Sequence, residues 1–344
     1  LLYAGTNRSI YVSFNDGSQW QPLTLNFPTT SVRDLVVHNG DLIAGTQGRG
    51  IWILDDLEPL REITHKISEE PVHLFSPAQT WRLRNDENRD TPWPPSTPLG
   101  QNPPAGSIID YWLKDNAQGP VTLTIIDSTG NIVKQFSSNE KVKKLPAHRY
   151  FEKDWLAKDK HLYATAGMHR FIWNLRYPRP SALQYRYSIA AIWTDGTPIV
   201  PEGPLVLPGR YTVSLKVNGQ EYTRPLVIKL DPRVHVSEDD LVKQLKLAQQ
   251  IDALLNKSVA AYRNIHSRLM MEKGKLSAAV ADSLSVLSNT GKPNLSSAIG
   301  ALTSLVTSVQ RADAAPVQGQ TEVFSYYKKQ IDGLLIRWHR LDKR

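Results

Sequence analysis

Over residues 1–230 the apolar positions fall in short runs of period two, broken by Gly, Asn, Asp and Pro, which predicts β-strands with tight turns. Residues 1–6 form a first apolar strand closed by Gly5, and Asn7-Arg8 makes a two-residue turn. Strands are expected over residues 9–15, 20–25 and, after the break at Pro28-Thr29-Thr30, 32–37. Asn39-Gly40 is a hairpin signal, and strands over 41–45 and 50–54 continue the meander. Residues 57–71 are charged and mixed, and a closing strand and linker are expected there.

A second β-rich stretch follows. Residues 107–113, 121–127, 132–136, 167–175, 208–217 and 220–230 alternate as strands, with Ser128-Thr129-Gly130-Asn131 and Asn218-Gly219 as turns. Short strands with such turns predict an Ig-like sandwich. A long Pro-rich loop fills residues 85–106, and residues 139–166 form an insert. Beyond Asp231-Pro232 the period changes to 3.6. Leu241, Leu245, Ala248, Ile251, Leu255, Val259, Tyr262, Ile265 and Leu269 mark one face of a long helix, started by Ser237 with Asp240 three residues on. Further helices are expected over 278–287, 295–309 and 321–341, giving a helical bundle or hairpin.

Composition narrows the function classes. No run is long and apolar enough for a transmembrane helix. The absence of cysteine excludes disulfides, thiolate metal ligands and thiol catalysis. The net charge of +8 is spread along the chain. Its tightest cluster, Lys141, Lys143 and Lys144, is not interleaved with aromatics, so nucleic acid is not an expected partner.

The opening also repeats itself. Leu1-Leu2-Tyr3-Ala4-Gly5-Thr6 recurs as Leu42-Ile43-Ala44-Gly45-Thr46, and Ile10-Tyr11-Val12 as Ile51-Trp52-Ile53. A period of about 41 residues is that of propeller blades. Ser13-x-Asn15-x-Gly17-x-x-Trp20 resembles the Asp-box of BNR-repeat propellers, with Asn15 in place of the usual Asp. The ending Gly48-Arg49-Gly50-Ile51-Trp52-Ile53-Leu54-Asp55-Asp56 resembles the last blade of bacterial sortilin-like proteins, often classed as glycosyl hydrolases. The run 294–335, with Ala312-Asp313-Ala314-Ala315-Pro316, resembles the C-terminal helices of the same proteins. Residues 127–133, 167–175 and 208–213 resemble a flagellar-hook-cap-type Ig-like module.

These resemblances imply a multidomain chain, mainly β and then α. Residues 1–65 would be the last blades of a β-propeller, 70–232 an Ig-like sandwich, and 235–344 a helical domain. The chain is then expected to be the C-terminal part of a secreted, periplasmic or cell-surface protein, with upstream blades of the same chain as its neighbours. A peptide or glycan would be the ligand of the propeller.

Candidate chemistry is sparse. The resemblance makes the turn of Ser13, Asn15, Asp16, Gly17 and Trp20 structural, as expected of turn Asp and Asn that bond their own backbone. Asp55 and Asp56 end a strand, where neighbouring side chains point to opposite faces, a poor arrangement for an acid/base pair. Arg49 is a candidate contact for an anionic ligand, or a solvated turn arginine. Trp52 is a candidate ligand contact, although strand context predicts that Trp20 and Trp52 pack between blades. His73, His148, His161, His169, His235, His266 and His339 are scattered without metal-ligand spacing, and no cofactor motif is present. Two readings stand: a non-catalytic structural and interaction role, or part of a glycoside hydrolase, sialidase-like or otherwise glycan-degrading, whose catalytic residues are expected mainly in N-terminal blades upstream of this sequence.

Overall fold

The computed structural model describes residues 1–84, 96–97, 100, 103–141, 161–187 and 198–342. Most of the Pro-rich loop and of the 139–166 insert, with Lys143, Lys144 and His148, lies outside them.

Two antiparallel three-stranded sheets open the chain. The first joins β1 (Leu2–Gly5), β2 (Ile10–Ser13) and β3 (Gln21–Pro22); the second joins β4 (Val32–His38), β5 (Asp41–Thr46) and β6 (Ile51–Leu54). The strand expected over 20–25 shrinks to β3. Pro22 has no N–H for the ladder, and Leu25 turns the chain away at φ 42°. Register places Tyr3, Gly5, Ile10 and Val12 on one face of the first sheet. That face meets the second sheet closely. A Cβ on Gly5 would come within 2.7 Å of Val32 Cγ1, so only glycine permits the approach. Ile10, Leu42, Ala44 and Leu57 are the buried centre of this contact.

Residues 57–71 do not form the expected closing strand. They fold into α1 (Glu58–Glu62) and α2 (His65–Glu69). Pro59 falls in the first turn of α1, where its missing N–H costs nothing, and fully buried Leu57 anchors that turn under the sheets.

A two-sheet sandwich follows. Its strands are β7 (Val72–Leu74), β8 (Thr80–Arg82), β9 (Ser107–Leu113), β10 (Thr122–Asp127), β11 (Ile132–Ser137), β12 (Gly167–Trp173), β15 (Gly209–Val217) and β16 (Gln220–Leu230). One sheet runs β11-β10-β15-β16-β8 and the other β12-β9-β7. A small ladder of β13 (Arg186–Tyr187) and β14 (Ile199–Val200) lies between β12 and β15 in sequence. Alternate residues fill the space between the sheets: Ile109, Tyr111, Leu113, Phe171 and Trp173 from one, and Leu123, Ile125, Val213 and Leu215 from the other. Among the described strands of the sandwich the pairings are antiparallel except β8 on β16, which is parallel.

The rest of the described chain is helical: α3 (Glu238–Met271), α4 (Ala278–Ser285), a π-helical turn Val286–Thr290, α5 (Leu295–Val309) and α6 (Gln318–Asp342). The β-rich then helical order expected from the sequence is thus observed. Ser237 caps α3, its Oγ accepting the Asp240 N–H at 3.1 Å, and Glu238, Asp239 and Asp240 complement the positive end of the helix. Ile251, Leu255 and Val259 of α3, Leu302 and Val306 of α5 and Leu334 and Trp338 of α6 share one core. None of the described helices is long and apolar enough to cross a membrane.

Asp252 is buried on α3, and its Oδ1 has no partner among the described residues. Burial pushes its carboxyl from the ordinary 3.8 up to about 7. The folded chain therefore holds this proton more tightly than the unfolded chain. The stability this supplies is complete below about pH 4 and is lost as pH rises through about 7. Asp252→Asn is expected to stabilise the protein by a few kcal/mol at about pH 8 and by almost nothing at about pH 4. Urea denaturation at the two pH values measures this, and an equal effect at both would refute it.

Candidate functional site

The turn after β2 is closed by its own side chains. Ser13 Oγ accepts the Gly17 N–H at 2.8 Å and donates to Asn15 Oδ1 at 3.1 Å. Asn15 Oδ1 also accepts the Gln19 N–H at 2.8 Å. These bonds hold Asp16 at φ 55° and Gly17 at φ 90°, the left-handed region that Asp tolerates and Gly prefers. Asp16 is exposed. Trp20 folds back over the turn, with Cζ2 3.8 Å from the Cβ position of Gly17, and keeps 42% of its surface exposed. It packs on its own turn, where packing between sheets was expected.

Trp52 does pack between the sheets. Its ring meets Phe27 edge-on, with centroids 5.5 Å apart. Its Nε1 donates to the Arg49 carbonyl at 3.0 Å, which ties the Gly48-Arg49-Gly50 turn to β6. The Arg49 side chain is exposed on that turn.

The carboxylates converge on the junction between the second sheet and the sandwich. Arg170 on β12 grips Asp110 on β9 through Nε–Oδ1 at 2.9 Å and Nη2–Oδ2 at 2.8 Å. Its Nη1 donates to the Asp55 carbonyl at 3.0 Å. The Asp56 N–H donates to Asp41 Oδ1 at 2.9 Å, and Asp56 Oδ1 accepts the Glu58 N–H at 3.0 Å. Burial, with Asp110 adding to it, pushes Asp56 up to about 6; burial and Asp41 push Asp55 up. Both residues lie just past the end of β6, Asp56 at φ 62°, and Arg170 meets Asp55 through its carbonyl while its ion pair is with Asp110. Nearby, His73 on β7 has a carboxylate at each ring nitrogen: Glu70 Oε2 at 2.7 Å from Nδ1 and Glu62 Oε2 at 3.2 Å from Nε2. Glu62 also accepts the Ser76 N–H, and these bonds hold its carboxyl below the usual range despite burial. The two carboxylates lie on opposite edges of one ring. Among the described residues no His, Asp and Glu group is arranged to hold a metal ion.

A second charged junction joins the sandwich to the helices. Asp313, just beyond α5, accepts at a single oxygen from Arg82 Nη1 at 2.7 Å, Arg84 Nε at 2.9 Å and Arg84 Nη2 at 2.7 Å. Asp313 and Arg82 are 3% and 2% exposed. Arg84 also reaches the Gln310 carbonyl. Arg176 donates to Gln310 Oε1 at 3.1 Å and the Gly203 carbonyl at 2.9 Å, and pairs with Glu202 at 3.0 Å. Three arginines meet here, but protein acceptors take the forks of Arg84 and Arg176 and the Nη1 of Arg82.

Two surface depressions, about 500 Å³ beside α6 and about 280 Å³ near Gly119 and Lys216, are lined by none of these carboxylates. The arrangement suits holding modules together better than acid/base work on a bound sugar, which needs two accessible carboxyls flanking a bond. Comparison with protein-family models, with curated proteins and with solved structures finds no match.

Asp55, Asp56 and His73 were weighed in the sequence as candidate chemistry, but Asp110, Arg170, Arg82, Arg84 and Arg176 were not singled out, although one signal was there. Asp110 interrupts an otherwise apolar strand, and a charge at such a position needs a partner. Asp313 carries no such local signal. Asp313→Leu alone is expected to cost about 3–5 kcal/mol, because it strands the buried Arg82. Adding Arg82→Met and Arg84→Met should recover much of that loss. Urea denaturation of the two variants decides this, and an Asp313→Leu cost within about 0.5 kcal/mol of zero would refute it.

Proposed function

We propose that this chain is a non-catalytic structural and interaction portion of an exported sortilin-like BNR propeller protein. In this reading the sheets of β1–β3 and β4–β6 are successive propeller blades and residues 70–232 are an Ig-like sandwich that braces them. The helical region is docked on the sandwich through Asp313, and the propeller takes a peptide or glycan ligand.

One observation carries the reading. The internal repeat equates Tyr3, Gly5, Ile10 and Val12 with Ile43, Gly45, Ile51 and Ile53. The first set lies on one face of its sheet, with Tyr3 and Ile10 packed in the apolar contact with the second sheet and Gly5 against Val32. The second set lies on one face of the second sheet, where Ile43 and Gly45 are half-buried. Ile10 and Val12 are 5% and 3% exposed, whereas Ile51 and Ile53 are 73% and 55% exposed. Equivalent residues meeting opposite environments call for a further sheet of the same repeat over the second face. The self-closed turn of Ser13, Asn15 and Gly17 supports the same reading, since its polar groups are spent on the backbone.

The glycoside hydrolase reading draws on Asp56, whose raised carboxyl has the character of a general acid. Its weakness is that Asp56 is 8% exposed and bonded to its own turn.

Lysine at Ile51 and Ile53 is expected to lower the fluorescence of a bound hydrophobic dye and leave the melting temperature almost unchanged. Lysine at Ile10 or Val12 should unfold the paired sheets. Equal destabilisation at both sets of positions would contradict the reading. The purified chain is also expected to leave a panel of fluorogenic glycosides, sialosides included, at the blank rate. Turnover that Asp56→Asn abolishes would establish the hydrolase instead.

A further inference from the structure

The depression of about 500 Å³ beside α6 is lined by Tyr326, Lys329, Gln330, Gly333, Leu334 and Arg337, with Pro293 on the opposite wall. On α6 these residues stand at i, i+3, i+4, i+7, i+8 and i+11, one continuous stripe. Gly333 sits at its middle. No atom outside its own helix comes within 4 Å of the Cβ position there, so the glycine makes a notch rather than relieving a clash. Glycine inside a helix costs roughly 1 kcal/mol relative to alanine, and here nothing in the fold requires it. The wall is mostly carbon, chiefly from Pro293 and the ring of Tyr326, which is 61% exposed, over a floor at Leu334, which is 2% exposed and part of the helical core. Its charged members are both cations, Lys329 and Arg337. Glu322 lies on the same stripe one turn before Tyr326 and accepts from Gln318 Nε2 at 2.7 Å.

We propose that this groove binds a short acidic peptide segment of a partner protein, with an apolar anchor over Gly333 and a carboxylate on either side. Lys329 and Arg337 are eight residues apart, about 12 Å along the helix axis. Two acidic residues four positions apart on an extended peptide span about 13 Å. The residue midway between them then falls at the Gly333 notch, beside Tyr326 and Leu334. A second copy of this chain fits poorly. A two-fold antiparallel pairing of α6 about Gly333 would set Lys329 against Arg337 of the other copy, a like-charge contact. The proposal is independent of the propeller reading, because it uses only the helical region.

The test uses the full chain and a fluorescein-labelled acetyl-Glu-Ser-Phe-Ser-Glu amide, followed by anisotropy. Saturable binding is expected. It should weaken about tenfold, or 1.4 kcal/mol, in Lys329→Glu/Arg337→Glu. The same loss is expected in Gly333→Leu, which fills the notch with a better helix former and should raise the melting temperature slightly. A Lys-Ser-Phe-Ser-Lys peptide should ignore the native groove and bind the charge-reversed variant. The proposal is overturned if the acidic peptide does not bind at millimolar concentration or binds the variants as well as the native chain. It is equally overturned if a single-stranded oligonucleotide binds the groove more tightly than the peptide, or if the chain forms a dimer that Gly333→Leu abolishes.

Discussion

A buried carboxylate anchors the helical region to the sandwich. Asp313 meets two arginines of the chain entering from β8, and it does so almost fully buried. Removing these groups from water costs several kcal/mol per ion, and the pairing offsets that cost only when geometry is good and the remaining donors find acceptors. Here Arg84 spends its other Nη on the Gln310 carbonyl, and Arg176 adds Gln310 Oε1 and Glu202. The end of α5 benefits as well. Gln244 of α3 donates to the carbonyls of Val309 and Ala312, which the end of the helix leaves without intrahelical partners. Breaking Asp313 would therefore strand the arginines and loosen the segment between α5 and α6 together.

The sandwich builds its other junction in the same way. Arg170 of β12 holds Asp110 with two nitrogens and reaches the Asp55 carbonyl with the third, so one side chain spans β9, β12 and the end of β6. His73 joins α1 and α2 to β7 through Glu62 and Glu70. Both junctions are polar, whereas the contact between the first two sheets is apolar. Apolar packing fixes the separation of two sheets but tolerates sliding; bidentate pairs tolerate neither displacement nor rotation. The modules are thus positioned by a handful of directional contacts.

The strands and helices with a strong period were legible in the sequence because burial on one face imposes the period. Ser107–Leu113, Gln220–Leu230 and Leu295–Val309 fall where alternation or 3.6-residue spacing placed them. The failures have local causes. Residues 57–71 are too short and too charged to show a helical period, and the helix of Glu58–Glu62 follows from Pro59 in the first turn and from Leu57 packing under the sheets. β8 is only three residues long, and it is a strand because it lies parallel to β16. The pairing of Arg82 with Asp313 spans 231 positions, and nothing in either neighbourhood announces it.

The turn after β2 shows what its geometry asks of Asn15. Its Oδ1 accepts from Gln19 and from Ser13 as a carboxylate oxygen would. The requirement at this position is an acceptor at the right place, not a charge or an ionisable proton. A carboxylate working as acid or nucleophile could not be exchanged for an amide, because the amide has neither the proton to give nor the charge to share. An amide at Asn15 therefore serves as the acceptor and not as acid or nucleophile. It places this turn with the backbone-holding groups, beside Asp56 and Asp127, whose oxygens likewise accept N–H groups of the residues that follow them.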